Sequence, residues 1–308
     1  MERVLFYDQI ERNKRLSWIL VVVVLATLFA VSIVISLVLY NVYDMGVMFL
    51  FLIFATVFNI AYILYTYYKS ADIALSSVSA YPAGGPRFQQ LNNIVEEMAI
   101  AGGTPKPKVY VMPSQDINAF ATGRDPENSV VCVTEGALQK LNRNELSGVI
   151  AHELTHVRNY DIRFVTLVAV MVGLVSIMSQ LFLRSMWYGG FSGRDRDRGG
   201  GGGAMALLLV LGVLLAIVAP IIVKLVQLAI SRKREYMADA GGVELTRYPE
   251  GLASALEKIR DAYKTGPKTQ VNAAVAPLFI ADPVKDRFIT LFQTHPPIED
   301  RIRILRSM

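Results

Sequence analysis

Histidine and cysteine are scarce in this chain of 308 residues, which holds three of the first and one of the second. A lone cysteine cannot close an intramolecular disulfide, so the fold does not depend on an oxidising compartment. Cys132 stands in the run Val130-Val131-Cys132-Val133, which reads as a buried strand with the thiol acting as a small hydrophobe. Charge is thin too: charged residues make up 19% of the chain and apolar ones 53%, so the core available to a water-soluble domain is smaller than the length suggests. The net charge of +5 is modest. No nucleic-acid-binding motif accompanies it, which argues against nucleic acid as a partner. In so apolar a chain, basic excess marks the cytoplasmic flanks of membrane spans.

Charge is missing altogether from two long stretches, 17–40 and 45–68. About 24 helical residues reach about 36 Å, enough to cross a hydrocarbon core of about 30 Å with some tilt. The linker around Asn41, Asp44 and Gly46 is very short, so the two spans are expected to form a hairpin. The first is too long for a signal peptide and has no small-residue cleavage site after it. Two further uncharged runs follow, 164–183 and 204–224 (whose only charge is Lys224 at its end). They read as a second hairpin, with long buried or interfacial helices as the alternative. The segment between them, Arg184 to Gly203, combines alternating Arg and Asp with a closing run of five glycines and reads as a solvated flexible loop. Arg3, Arg12, Lys14 and Arg15 precede the first span and no basic residue lies in the linker after it, which sets the N-terminus in the cytoplasm. Arg158, Arg163, Arg232, Lys233 and Arg234 flank the second pair on the same side, and the arginines of the intervening loop oppose it.

What remains is polar. Residues 1–69 form the first hairpin, 162–230 the second, and 70–161 together with 231–308 are expected to build one domain facing the cytoplasm. A helix is expected around 87–101 and another from Arg143, with strands at 107–112, 117–122 and 129–133.

Two of the three histidines fall in Val149-Ile150-Ala151-His152-Glu153-Leu154-Thr155-His156-Val157. Asn142 is a plausible helix cap with Glu145 as its third-position acid. Histidines four apart lie on one helix face, about 6 Å apart along the axis, so both imidazoles can reach one Zn²⁺. Glu153, beside the first, is placed to take a proton from an attacking water. The bare H-E-x-x-H pattern occurs by chance in unrelated chains, but here its flanks are apolar, as a buried metal helix needs.

A catalytic zinc needs a third protein ligand and an open position. Glu235, in Ser231-Arg232-Lys233-Arg234-Glu235-Tyr236-Met237-Ala238-Asp239, is the best acidic candidate. Asp239 lies one helical turn on, where it can accept the free N–H of a ligating histidine. Taken alone, both acids could equally be surface charges balancing the basic flank. The metal helix ends before the third apolar run and Glu235 follows the fourth, so one ion can hold both only if the intervening chain returns to the same side.

These motifs, in this order, resemble the HtpX family of integral-membrane zinc metalloproteases, relatives of the CAAX prenyl proteases. The resemblance rests on the first hairpin, Asn118-Ala119-Phe120-Ala121-Thr122-Gly123, the histidine motif, the second hairpin, the Glu235 segment and His295-Pro296-Pro297. It implies an α-helical membrane protein with four transmembrane helices in two hairpins and an α+β, thermolysin-like (gluzincin) protease domain. It implies one Zn²⁺ per chain on His152, His156 and Glu235, with Glu153 as base. It also implies protein substrates, misfolded or surplus membrane proteins cleaved under stress, at the cell membrane with the catalytic domain in the cytoplasm. Residues Asn118, Ala119, Phe120, Ala121 and Thr122 suit an edge strand that holds substrate by main-chain bonds, or an ordinary sheet strand. His295, fixed by two prolines, suits an oxyanion donor, or a capping or surface role. A metal-bearing scaffold would need no Glu153, and a transporter would carry more ionisable groups in its spans. A CAAX-type protease would have more spans.

Overall fold

In the computed structural model the chain begins with two long helices side by side. Residues 6–42, 44–166, 212, 232–265, 278–280 and 296–308 are described. Helix α1 is Phe6–Val42 and α2 is Met45–Ser77. The turn between them is as tight as the sequence suggests, and the Asp44 carboxylate caps α2 by accepting from the Val47 N–H at 2.9 Å. Asn59 Nδ2 donates to Ser32 Oγ across the pair at 3.0 Å. The outer face of α2 leaves Leu50, Ile53, Phe54, Val57, Phe58 and Leu64 more than half exposed. In water such a band would drive association, whereas a bilayer solvates it. Stretches of both helices are long and apolar enough to cross a membrane. Both outrun the expected spans: α1 starts before residue 17, and α2 continues past 68 into the polar part of the chain.

That continuation carries α2 onto a four-stranded sheet. Strands β1 (Tyr81–Pro82), β2 (Lys108–Met112), β3 (Ala119–Gly123) and β4 (Ser129–Thr134) lie in the order β1-β2-β4-β3. The β2–β4 pair is parallel and the other two are antiparallel. Period-two alternation sends Val109, Val111, Val131 and Val133 to one face. It sends Met112, Phe120, Val130 and Cys132 to the other, where they meet Ala74, Leu75 and Val78 at the end of α2. Both faces are therefore covered, which is why β4 reads as an unbroken apolar run. Cys132 lies in it, 1% exposed.

The first face packs against helices. These are α3 (Gln89–Gly102), α5 (Arg143–Arg158), α7 (Pro249–Thr265) and α8 (Ile298–Leu305). The short α4 (Glu135–Lys140) follows β4, and α6 (Arg232–Thr246) lies along α5. The short β1 and α4 were not expected from the sequence, while the three longer strands, α3 and α5 fall within two residues of the expected limits. The expected second hairpin lies outside the described residues apart from 164–166 and 212. Phe164 and Thr166 are buried against the protein, Thr166 Oγ1 lying 3.0 Å from Thr122 Oγ1.

Candidate metal centre

Helix α5 exists because its start is satisfied and one stripe is apolar. Asn142 accepts from the Glu145 N–H at 3.0 Å, and the Glu145 carboxylate accepts from the Asn142 N–H at 2.8 Å, a complete capping box. Leu146, Val149, Ile150, Leu154 and Val157 recur at helical spacing and are almost fully buried. Each contributes roughly 1.5–3 kcal/mol of apolar burial. That stripe turns His152, Glu153 and His156 towards α6 and β3.

Helix α6 packs on α5 at a glycine. A Cβ at Gly241 would run into the Thr155 side chain. Alanine there would force the helices apart, and with them the two acids that α6 presents. At the observed spacing, donor atoms of His152, His156 and Glu235 lie within 4.8 Å of one another. His152 Nε2 is 3.8 Å from Glu235 Oε2, and His156 Nε2 is 3.6 Å from Glu235 Oε1.

The other nitrogen of each ring is tied down. His152 Nδ1 lies 2.9 Å from Asp239 Oδ1, and His156 Nδ1 lies 3.0 Å from Asp161 Oδ2. A carboxylate accepts only, so each Nδ1 carries a proton and the lone pair available to a metal is that of Nε2, which His156 offers on giving up its second proton. His152 Nε2 is buried and has no hydrogen-bond partner among the described residues. Burying such a lone pair is costly unless something meets it. Two imidazole nitrogens and a carboxylate, converging with their outer hydrogen bonds made, form a donor set that fits Zn²⁺.

Arg301 closes the site from α8. It is 2% exposed and grips Asp239 with two bonds, Nε to Oδ2 at 2.9 Å and Nη2 to Oδ1 at 2.7 Å, and Nη1 lies 3.6 Å from Glu235 Oε2. Burial pushes the Asp239 carboxyl up, but Arg301 and His152 outweigh it and hold the acid at about 2. For His156 burial acts downward, and Asp161, Glu235 and Glu153 overcome it to raise the metal-free ring to about 9. Glu153 is the opposite case. Burial holds its carboxyl above the ordinary range despite the two histidines and a hydrogen bond from the Ala121 N–H.

Asp239 falls where the sequence reading expects it. Strand β3 lies at the edge of the sheet among the described residues, yet all five of its residues are buried. Part of its outer rim is taken, since Phe279 forms a bridge with Phe120 and the Ile280 N–H donates to Ala119 O at 3.0 Å. His295 lies outside the described residues. Sequence reading missed Arg301 and Asp161. The first had a signal, because Arg301 interrupts the apolar stripe of Ile298, Ile302 and Leu305. The second had none, since one acid just past a helix end is ordinary.

A buried, carboxylate-supported H-E-x-x-H centre defines a metallopeptidase. The sequence profile of peptidase family M48 matches residues 86–308, more than half of the chain, and the chain belongs to that family. The chain is 44% identical to a protease HtpX homologue of Dictyoglomus thermophilum, over 98% of this chain and 95% of that protein. It is 48% identical to one from Caldanaerobacter subterraneus subsp. tengcongensis, over 83% and 84% of the two chains. It is 40% identical to one from Streptococcus pyogenes serotype M3, over 99% and 100%. Among solved structures, the crystal structure of S. mikatae Ste24p aligns with a TM-score of 0.47 at 19% identity, over 91% of this chain and 67% of that one.

Proposed function

We propose that this chain is a cell-membrane endopeptidase that holds one Zn²⁺ on His152, His156 and Glu235 and uses Glu153 as its general base. The observation that carries this reading is the convergence of the three donor residues within 4.8 Å while both Nδ1 atoms are committed to carboxylates. When bound, Zn²⁺ polarises the scissile carbonyl and makes water more acidic. Glu153 takes the proton of the attacking water. Its raised affinity for a proton suits it to keep that proton until the leaving amine accepts it. Asp239 and Asp161 fix the tautomer and direction of the two imidazoles, and Arg301 fixes Asp239.

Substrate lies along the outer rim of β3, within Asn118, Ala119, Phe120, Ala121 and Thr122, by main-chain bonds that do not depend on side chains. Ile280 occupies the Ala119 end, which leaves the stretch from Ala121, beside Glu153, for the cleaved bond. His295 supplies an oxyanion donor. The substrates are misfolded or surplus membrane proteins. The exposed apolar band of the first hairpin supports that reading. In it, the runs at 164–183 and 204–224 form a second hairpin, four spans in all, and the thermolysin-like domain faces the cytoplasm.

The test is digestion of casein by the purified protein in detergent. Cleavage should stop with a chelator and return with zinc. A zinc-loaded, folded protein that leaves casein and unfolded membrane-protein substrates intact would instead be a metal-bearing scaffold.

A further inference from the structure

The turn that follows the metal helix is held from the membrane hairpin. Asp161 holds the His156 ring through Oδ2, and its other oxygen, Oδ1, accepts from Asn13 Nδ2 at 2.7 Å. The same amide nitrogen donates to Asn159 O at 2.9 Å. Asn13 belongs to α1 and is 2% exposed. Its neighbour Lys14 places its ammonium 4.2 Å from the centre of the Tyr160 ring. Tyr160 has φ of 60°, a conformation that a bulky residue keeps only when its surroundings impose it. Arg234 Nε stands further from Asp161 Oδ1 than the Asn13 amide does, at 3.8 Å.

A carboxylate can orient an imidazole only if it is itself oriented, and the partners of such carboxylates matter to metal sites nearly as much as the ligands. We propose that Asn13 is a positioning residue of the metal centre: by fixing Asp161 it fixes the His156 ring, so that the first membrane helix completes the support of the zinc ligands. This rests on the reading of His156 as a ligand. It makes zinc affinity a function of how α1 docks on the 159–161 turn.

The experiment is a chelator-competition titration of zinc on the full chain in detergent. Asn13→Ala is compared with Asn13→Leu, which keeps the volume and loses the donor, each alone and combined with Asp161→Asn. His156→Ala and Lys14→Ala serve as controls. Both Asn13 variants should lose about 10-fold in zinc affinity and lose nothing further in the Asp161→Asn background, because they act through that carboxylate. Lys14→Ala, which loosens the same docking at Tyr160 but leaves the bond to Asp161 in place, should weaken zinc binding less than either Asn13 variant. Wild-type affinity in a folded Asn13 variant, or the same loss with and without Asp161, overturns the proposal. If Asn13→Ala does not fold, Asn13→Leu decides. Zinc binding that survives His156→Ala refutes the metal-site reading itself and the proposal with it, whereas binding lost there but untouched by Asn13 variants refutes the proposal alone.

Discussion

Glu153→Gln separates chemistry from architecture because the two respond in opposite directions. Glu153 is 2% exposed and stands among groups that include a second carboxylate, Glu235. Burial raises its proton affinity, which means that keeping it ionised in the fold costs stability at neutral pH. Glutamine keeps the size and removes that cost, but its amide oxygen can still accept from the Ala121 N–H. The metal-free variant should therefore melt no lower than wild type, and His152, His156 and Glu235 should keep the zinc. Hydrolysis should fall by about 10²–10⁴-fold, the contribution of a positioned base. That corresponds to about 3–5 kcal/mol of lost transition-state stabilisation. The assay combines initial rates on a quenched peptide, zinc content of the purified protein, and thermal melting in detergent. Wild-type turnover would remove Glu153 from the mechanism. Loss of zinc would make it a ligand, and a melting point several degrees lower would make it a structural residue.

Glu235→Ala should weaken zinc binding severely, since one of three converging anchors is gone. Full affinity by chelator competition would refute that ligand assignment. Arg301→Met should cost the metal-free protein about 3–5 kcal/mol, the usual result of removing one partner from a buried ion pair. An unchanged melting temperature would show that Asp239 needs no counter-charge. Ser76→Cys, exposed near the end of α2, should escape an impermeant maleimide in intact cells and react after permeabilisation. The native Cys132 is too buried to interfere, and labelling of intact cells would invert the orientation.

The parts of the fold legible from sequence were those governed by local rules. The capping box at Asn142, the strand containing Cys132 and the tight turn at Asp44 each follow from a few neighbouring residues. So did the three converging donors, because a helix fixes the spacing of His152 and His156, and Glu235 was the best-placed acid. Asp239 followed from helical periodicity. Arg301, Asp161 and Asn13 were different. Their roles depend on pairings with residues 62, 5 and 148 positions away; Arg301 leaves only the trace of an interrupted apolar stripe, and nothing local distinguishes Asp161 or Asn13 from a solvated residue. The reach of α2 was also underestimated. The loss of hydropathy after Tyr68 ends the membrane-like composition, but not the helix, because Ala74, Leu75 and Val78 find a second apolar surface on the sheet.

That continuity has a mechanical meaning. With 45–68 in the bilayer, as proposed above, the nine residues from Lys69 to Ser77 extend α2 by about 13 Å, and their far end is packed on the face of the sheet rather than left on a tether. The described helix has no break at which the load could be relieved. A bilayer that thins or thickens makes a spanning helix change its tilt, and here the rod cannot lean without turning the sheet, and with it the cleavage centre, relative to the lipid surface. The enzyme is thus built as a gauge of fixed length, with its working height and angle set by the membrane in which it stands.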